Sequence, residues 1–422
     1  KLSKSGDPYE PISKKVSEEL KNQIESANLS GINTVGQDFR YYPEGNLAAN
    51  VLGFTGQNAN GDLSGRYGIE GFWDKNLTGK SGFLAGERGA LGSLIPLADR
   101  TLKQAEDGTD LLLTIDRNLQ YKACQRLREG YEKYKAKSAA LILMDPKTGA
   151  ILSMCSLPDF DPNNYSDVED MSAYNNTAIF TPYEPGSVFK PIIMSVALDL
   201  GLVNPFTTYT DTGERIINGY KIHNALNKKY GLATMTNVLE SSINTGMIWV
   251  EEKIGQDRFK EYVEKFGFGK KTGIGLNSEG ESDISSLSKS AEIYFANGSF
   301  GQGFTATPLQ LATAYSALAN GGRMPKPYIV DEARYANGKI EKTEPQTEVV
   351  ISANADKLIT AMLISVVERG GSKVAKLSNY YVAAKTGTAQ IAGRGGYAAD
   401  DTNHTFVGYF PATDPKFVLL VK

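Results

Sequence analysis

The spacing of apolar and polar residues divides this chain into two parts of different texture. Residues 1–108 hold one polar helix candidate, at 12–27, followed by short apolar runs that glycine interrupts, such as the run at 66–73. Runs of this kind are typical of small strands and irregular structure rather than of a helix bundle. The polar, turn-forming stretch 103–110 then predicts a boundary between a β-rich N-terminal domain, 1–108, and a C-terminal domain, 109–422.

The C-terminal part alternates between strand and helix patterns. Predicted strands lie at 111–115, 139–144, 151–154, 380–384, 405–410 and 417–421. Predicted helices lie at 116–135, with Asp116 as the capping residue, and at 187–201, 233–241, 245–266, 307–320 and 354–369. Strands near both ends of this part, with helices between them, indicate an α+β domain whose sheet is assembled from segments distant in sequence.

Composition and charge exclude several classes of function. The 422 residues include 45 Lys and Arg against 48 Asp and Glu, a net charge of -3, and 41% are hydrophobic. That is ordinary folded-protein composition, and it lacks the basic excess that nucleic-acid binding or adhesion to an anionic membrane usually requires. No segment reaches the roughly 18–20 apolar residues of a membrane-spanning helix.

Histidine and cysteine are too scarce and too scattered for a metal site. The two histidines, His223 and His404, lie in no recognisable motif and are expected to be surface or structural residues. The two cysteines, Cys124 and Cys155, lie in a helix pattern and a strand pattern, and two separate buried thiols are expected. The sequence therefore predicts no zinc site.

The first motif with catalytic potential is Ser187-Val188-Phe189-Lys190, which follows Pro185-Gly186 and opens a long apolar helix pattern. Pro and Gly argue against helix upstream, so Ser187 is predicted at the helix N-terminus. Lys190, three residues on, shares its face of the helix. A lysine in a desolvated site can have a pKa of roughly 7–8 and accept the serine proton. The pair is thus a nucleophile and base that need no histidine.

Two further motifs supply groups that suit a peptide substrate. Ser242-Ile243-Asn244 lies on a short turn between two helix patterns, where the hydroxyl can relay a proton and the amide can hold a carbonyl. Lys385-Thr386-Gly387-Thr388 directly follows an apolar strand pattern, and its ammonium and hydroxyl groups suit a carboxylate. Gly387 is expected to leave room for a substrate backbone alongside the strand.

None of the three motifs is specific by itself, because each has a second copy in an unsuitable context. The additional copies lie at 286–289 in a polar loop, at 26–28 at the end of the first helix candidate, at 352–354 before a helix, at 147–149 in a hairpin turn and at 271–273 in a loop. The ordered set is specific: a helix-start S-x-x-K, a loop S-x-N and a strand K-T-G-T. Closely related elements characterise penicillin-binding proteins and class A β-lactamases.

The C-terminal part, 109–422, resembles the transpeptidase domain of penicillin-binding proteins. YEPGSVFKP at 183–191 is close to the usual nucleophile segment of that family, and 301–322 resembles it as well. RYYPEGNLAANVLGFTG at 40–56 and GIEGFWDKNLTG at 68–79 resemble the pedestal of class B, monofunctional members. The resemblance implies a penicillin-binding/β-lactamase-like fold: a mainly antiparallel five-stranded sheet between helical layers, with a smaller N-terminal pedestal.

The resemblance also implies catalytic roles for five residues. Ser187 would be the acylated nucleophile and Lys190 its general base. Ser242 would relay protons, and Asn244 would position the donor peptide. Lys385 would help to orient the site.

In the same way, Thr386 and Thr388 would bind the terminal carboxylate of the substrate beside Gly387. The backbone N–H groups of Ser187 and Thr388 would form the oxyanion hole. The implied enzyme is a serine-type D-Ala-D-Ala transpeptidase that cross-links peptidoglycan stem peptides and is acylated and inhibited by β-lactams. Roles in cell division, elongation and sporulation are all compatible with these motifs.

The family resemblance implies partners and a location as well. The pedestal is expected to bind a membrane glycan polymerase, and no nucleic acid is expected. The expected location is the bacterial cell envelope, outside the cytoplasm, with anchoring by an N-terminal membrane helix that is absent from this chain.

Related enzymes differ in features that this sequence lacks. A bifunctional class A protein would carry a glycosyltransferase domain, for which 1–108 is too short. A class A β-lactamase needs a deacylating glutamate, usually in an E-x-x-L-N segment, and none lies between Ser242 and Lys385. A class D β-lactamase usually has an apolar residue in place of Asn244 and no pedestal. A D,D-carboxypeptidase shares the first chemical step and is separated only by the pedestal resemblance.

Two hypotheses from other classes are weaker. A phosphate-binding loop at Gly79-Lys80-Ser81 would need glycine at position 74, where the chain has Asp74. An inactive scaffolding relative would be expected to lack Ser187 or Lys190, and the chain has both.

Overall fold

The computed structural model describes residues 10–13, 15–36, 39–58, 63–86, 100–393 and 396–422. The chain forms two compact units, Lys1–Glu44 and Gly45–Lys422. The domain boundary that composition predicts at residue 108 lies within the second unit and stays a prediction. Within the described ranges, no helix has both the length and the apolar composition needed to cross a membrane.

The helices of the described residues are α1 (Glu18–Ser26), α2 (Ala49–Leu52), α3 (Gly68–Phe72), α4 (Asp74–Leu77), α5 (Arg117–Tyr134), α6 (Lys190–Asp199), α7 (Met235–Glu240), α8 (Asn244–Ile254), α9 (Gln256–Lys265), α10 (Glu292–Gly298), α11 (Pro308–Leu318) and α12 (Ala353–Glu368). The strands are β1 (Phe54–Gln57), β2 (Leu63–Arg66), β3 (Phe83–Gly86), β4 (Arg100–Lys103), β5 (Asp110–Leu113), β6 (Ala139–Met144), β7 (Ile151–Leu157), β8 (Thr208–Asp211), β9 (Glu214–Ile217), β10 (Tyr220–His223), β11 (Gly231–Thr234), β12 (Arg323–Pro325), β13 (Val330–Arg334), β14 (Ile340–Lys342), β15 (Thr347–Val349), β16 (Ala383–Gly393), β17 (Gly396–Phe410) and β18 (Phe417–Val421).

The unit Lys1–Glu44 contains the polar helix α1. The pattern predicts a helix from residue 12, but α1 begins at Glu18 because the Ser17 side chain accepts the N–H of Leu20 and caps it. Glu18 and Glu19 then lie in the first turn, where acidic side chains interact favourably with the helix dipole.

The segment 45–108 carries short elements: the hairpin sheet β1–β2, the pair β3–β4 and helices α2 to α4. An aromatic cluster attaches β1 to the segment after β7. The Phe54 ring stacks on Tyr165 with centroids 4.3 Å apart and meets Phe160 edge-on at 5.7 Å. Aromatic pairs of this geometry add to the free energy of burial, which explains why this segment belongs to the second unit.

A five-stranded antiparallel sheet, in the order β16-β17-β18-β6-β7, forms the centre of the second unit. The predicted five-stranded sheet built from distant segments is confirmed. All six residues of β6 are buried, so both faces of this strand are covered. Ala139, Leu141 and Leu143 face a cluster that includes Leu127 of α5. Ala140, Ile142 and Met144 face the main core, which contains α6 and α11. The sheet therefore lies between helical layers.

The helices and strands predicted for this unit are present in the structure, but one helix is divided in two and one strand begins later than predicted. The predicted helix 245–266 is two helices, α8 and α9, because Gly255 adopts φ +81° between them. The predicted strand 380–384 begins only at Ala383. Asp116 caps α5 as predicted, since its carboxylate accepts the N–H groups of Asn118 and Leu119.

The prediction of two separate thiols is wrong. Cys124 of α5 and Cys155 of β7 form a disulfide, with their Cα atoms 5.5 Å apart. The helix packs directly across β7, so two residues 31 positions apart in sequence meet in the same cluster. Sequence spacing does not show this contact, because it depends on the docking of α5 on the sheet.

Candidate active site

Ser187 lies in a 3₁₀ turn, Gly186–Val188, directly before α6. The predicted α-helix from Ser187 therefore begins one turn later, at Lys190. Gly186 has φ +60°, and its N–H donates to Gly301 O at 2.9 Å. A Cβ atom at Gly301 would lie 2.2 Å from Gly186 O, so the close approach of these backbones requires glycine. Ser187 itself is partly exposed, as a nucleophile must be.

Lys190 is fully buried and makes three short contacts with the S-x-N turn. Its Nζ lies 2.6 Å from Ser242 O, 2.7 Å from Asn244 Oδ1 and 3.1 Å from Ser242 Oγ. The carbonyl and amide oxygens accept two N–H bonds, which are all that a neutral amine has to donate. Its lone pair can then accept the Ser242 hydroxyl proton. The three oxygens match the three N–H donors of an ammonium or, in the uncharged form, two N–H donors and a lone pair directed at Ser242 Oγ.

Burial and a neighbouring charge favour that uncharged state. Burial lowers the pKa of Lys190 well below its usual value, and the positive charge of Lys385 lowers it further. Burial also lowers the pKa of Lys385, to about 8. Lys385 Nζ donates to Thr386 O at 2.8 Å. Two buried ammonium groups without a carboxylate partner disfavour each other, and the more enclosed Lys190 loses its proton more readily.

Ser242 and Asn244 are presented by an unusual turn between α7 and α8. Ser242 adopts φ +56°, in the left-handed region that non-glycine residues rarely occupy. Asn244 is the first residue of α8, and its Nδ2 donates to His223 O at 3.0 Å. That bond fixes the amide so that Oδ1 points to Lys190. Strained backbone at such a position is typical of functional sites.

The K-T-G-T segment lies on β16, in contact with the turn that carries Ser187. A Cβ atom at Gly387 would lie 3.1 Å from Val188 N and 3.2 Å from Pro185 O. The predicted room for substrate at Gly387 is therefore used by the Ser187 turn. Along the strand Lys385 is buried, Thr386 is half-buried and Thr388 is exposed. The threonine hydroxyls thus line the side that a ligand can reach.

The structure brings the three motifs together, with one difference from the expected geometry. Among the described residues, Ser187 Oγ makes no hydrogen bond with Lys190 Nζ. Lys190 contacts Ser242 and Asn244 instead. No group of three or more His, Cys, Asp or Glu side chains in the described part of the chain is arranged to hold a metal ion.

Both histidines lie beside site residues, which the sequence analysis missed. His404 is the cross-strand partner of Thr388, and its Nδ1 lies 3.4 Å from Thr388 Oγ1. His223 contributes only its backbone carbonyl, to Asn244. A contact through a backbone carbonyl cannot be predicted from the residue type, because every residue has that group. The position of His404 could have been inferred from the pairing of the 380–384 and 405–410 patterns.

Comparison with known proteins assigns the family. Residues 139–422 match the model of the penicillin binding protein transpeptidase domain, and residues 1–113 match that of the penicillin-binding protein dimerisation domain. The chain therefore belongs to the class B penicillin-binding proteins, as its motifs predict.

Curated relatives agree with this family. The chain is 34% identical, over 97% of its length, to Stage V sporulation protein D of Bacillus subtilis, and covers 64% of that protein. It is 32% identical to penicillin-binding protein PbpB of Mycobacterium tuberculosis, over 91% of this chain and 57% of that protein. Peptidoglycan D,D-transpeptidase FtsI of Escherichia coli is 31% identical, over 97% of this chain and 67% of that protein. The chain thus spans less than two thirds of the first two of these relatives.

Solved structures share the fold. The apo crystal structure of penicillin-binding protein 3 from Mycobacterium tuberculosis is similar with a TM-score of 0.80 and 29% identity, over 91% of this chain and 84% of that chain. The same protein in complex with aztreonam and with ampicillin is equally similar. Penicillin-binding protein 2X from Streptococcus thermophilus has a TM-score of 0.83 and 25% identity, over 96% of this chain and 62% of that chain.

Proposed function

We propose that this protein is a peptidoglycan D,D-transpeptidase that works through an acyl-enzyme on Ser187. Ser187 Oγ attacks the carbonyl carbon of the penultimate D-Ala of a donor stem peptide. The C–N bond breaks, the terminal D-Ala leaves with a proton on its amine, and an ester remains. An amine of a second stem peptide attacks the ester, the C–O bond breaks, and Ser187 recovers its proton.

The observation that carries this proposal is the environment of Lys190. A fully buried lysine with a strongly lowered pKa, bonded to Ser242 and Asn244 one turn from an accessible serine, is a proton acceptor. Because Lys190 Nζ lies 3.1 Å from Ser242 Oγ, we propose that the proton of Ser187 reaches Lys190 by way of Ser242 or after Ser187 rotates. Ser242 then returns a proton to the leaving amine.

The remaining site residues bind the donor. Asn244 holds a donor carbonyl or amide once it exchanges its bond to His223 O for a substrate bond. Lys385, Thr386 and Thr388 bind the terminal carboxylate. The N–H groups of Ser187 and Thr388 are the proposed oxyanion donors, since Gly186 Cβ would lie only 3.2 Å from Thr388 O and the two segments are side by side.

The comparisons support this chemistry. Two relatives that are 31% and 32% identical to the chain over the aligned residues carry the names peptidoglycan D,D-transpeptidase and probable peptidoglycan D,D-transpeptidase. A structural neighbour has been solved with two β-lactams bound. We therefore propose that stem peptides and β-lactams both acylate Ser187. The proposed steps need no metal or organic cofactor.

We also propose a partner and a location. The segment matching a dimerisation domain, residues 1–113, is the proposed contact with a membrane glycan polymerase. The substrate places the protein in the cell envelope, outside the cytoplasm. The Cys124–Cys155 disulfide supports this, because disulfides persist in oxidising compartments.

Intact-mass spectrometry after incubation with benzylpenicillin tests the proposed function. One stoichiometric adduct of the mass of penicillin is expected, and Ser187→Ala should abolish it. Ser286→Ala is the matched control, because Ser286 begins the second S-x-x-K sequence and should be dispensable. An adduct that persists in Ser187→Ala would contradict the proposal. A D-Ala-D-Ala peptide plus an amine acceptor then distinguishes transfer from hydrolysis of the acyl-enzyme.

A further inference from the structure

A buried carboxylate lies directly behind the S-x-N turn. Asp211, the last residue of β8, is 0% exposed, and none of its described neighbours is a cation within salt-bridge distance. Its oxygens instead accept hydrogen bonds at 2.6–3.1 Å from side chains and backbone N–H groups, those of Tyr209, Gly213, Asn224, Tyr230 and Thr245. Burial by itself would raise the pKa of Asp211, but these bonds lower it to about 2. The carboxylate is therefore charged at neutral pH.

The bonds of Asp211 lead to the sequence neighbours of Asn244 and of His223, the residue whose carbonyl accepts from Asn244. Thr245 Oγ1 donates to Asp211 Oδ1 at 2.6 Å, and Thr245 is the next residue after Asn244. Asn224 Nδ2 donates to both Asp211 oxygens, and Asn224 follows His223, whose carbonyl accepts from Asn244 Nδ2. Asp211 thus holds the residue after Asn244 and the residue after His223, without touching Asn244 itself.

Asn224 completes the connection by capping α8. The N-cap residue of that helix, Ile243, has no side chain that can accept its free N–H groups. Asn224 Oδ1 accepts the N–H of Thr245 at 3.1 Å, so a residue from another segment performs the capping. Asn224 can do so only with its amide oxygen towards α8, and the carboxylate of Asp211 enforces that orientation by requiring the NH₂ group on its own side.

We propose that Asp211 is a positioning residue for acyl transfer, because it fixes the orientation of Asn244 through Asn224 and Thr245. This inference rests on the proposed function, since it gives Asn244 a role in holding the donor. It adds a residue outside all three motifs to the set on which the reaction depends.

The isosteric substitution Asp211→Asn tests the inference. At the Oδ2 position the new NH₂ group would face the N–H of Tyr230 and the NH₂ of Asn224, and at the Oδ1 position it would face the N–H of Gly213. In the first orientation relief requires Asn224 to flip, which would turn its NH₂ group against the N–H of Thr245. In the second orientation the two hydroxyls that donate to Oδ1 must reverse and accept. The second-order rate constant of acylation by benzylpenicillin should fall about 10- to 100-fold, the range expected for a buried donor left unpaired. Asp199→Asn is the matched control, because Asp199 also accepts from a tyrosine hydroxyl, Tyr262 OH, and from a backbone N–H, that of Ser352.

A double-mutant cycle with Asn244→Ala separates positioning from general damage to the fold. If Asp211 acts through Asn244, then Asp211→Asn should change the acylation rate less than twofold in the Asn244→Ala background. An effect in that background as large as in the wild type would overturn the inference. Should Asp211→Asn fail to fold, Thr245→Val cuts the 2.6 Å bond with little change of shape, and the same cycle applies.

The two proposals fail in different ways. If the wild type forms no adduct on Ser187, the proposed function is wrong and the cycle has no signal. If the wild type is acylated but the two substitutions act independently, only the role of Asp211 is wrong.

Discussion

The two walls of the site differ in how their polar side chains are bonded and exposed. The helical wall consists of Lys190, Ser242 and Asn244, which bond to one another and are supported from behind by a buried hydrogen-bond network. The strand wall is the segment from Lys385 to Thr388 on β16, in which exposure increases along the chain from a buried lysine to an exposed threonine.

The difference separates proton transfer from recognition. In the helical wall, Lys190 and Ser242 are in contact before substrate arrives, so proton transfer between them needs little reorganisation. In the strand wall, the one contact of the Thr388 hydroxyl among the described residues is a long one with His404, which leaves the hydroxyl available to a ligand. We expect substitutions in the helical wall to lower the rate of chemistry, and those at the exposed end of the strand wall to weaken binding.

The largest effect is expected for Lys190→Met. The variant loses the amine that accepts the serine proton, and acylation by benzylpenicillin should slow about 1,000-fold, within the range for general-base catalysis. Stopped-flow or mass-resolved acylation kinetics measure this. Lys190→Arg should be equally slow, because arginine keeps its charge and cannot accept a proton. Rapid acylation of either variant would show that Lys190 is not the base.

A smaller, pH-dependent effect is expected for Lys385. The pKa of Lys385 is about 8, so its ammonium is present below that pH and is lost as the pH rises through it. The rate of acylation should rise at low pH as Lys190 loses its proton and fall again above about 8. Lys385→Gln should lower the rate about 100-fold near neutral pH, as the loss of one preorganised electrostatic group does elsewhere.

Lys385→Arg is the informative control for that profile. Arginine stays protonated, so the decline above pH 8 should disappear while the rise at low pH remains. If the decline persists unchanged in Lys385→Arg, another group is responsible for it.

The strand wall also shows how much of this molecule the sequence predicts. The five strands and the helical layers followed from the family resemblance, whereas residue types and helix or strand patterns were sufficient to predict one sheet built from distant segments and all three motifs. They also placed Lys385 and Thr388 on one strand. They could not show that Gly387 accommodates the Ser187 turn rather than substrate, because that contact depends on how β16 docks against the Gly186–Val188 turn.

The helical wall shows which features of the site the sequence does not predict. Its supporting residues, Asp211 and Asn224, lie in no motif, and single aspartates and asparagines in loops are common. The disulfide between Cys124 and Cys155 was missed for a related reason, since it joins elements whose packing no local pattern encodes. Local periodicity predicts which face of an element is buried, but not which neighbour covers it.

The smallest effect is expected at the exposed end of the strand wall. Thr388→Val removes one hydroxyl while it preserves shape and strand propensity, so the KM for a D-Ala-D-Ala peptide should rise about 5- to 10-fold, as for the loss of one hydrogen bond to a carboxylate. The kcat should stay within twofold, because the carboxylate is bound equally in substrate and transition state. Thr402→Val is the matched control, since Thr402 Oγ1 contacts the other ring nitrogen of His404 at 2.9 Å and should affect neither constant. A fall in kcat with KM unchanged would mean that the strand wall takes part in the chemistry, and the division between the two walls would be wrong.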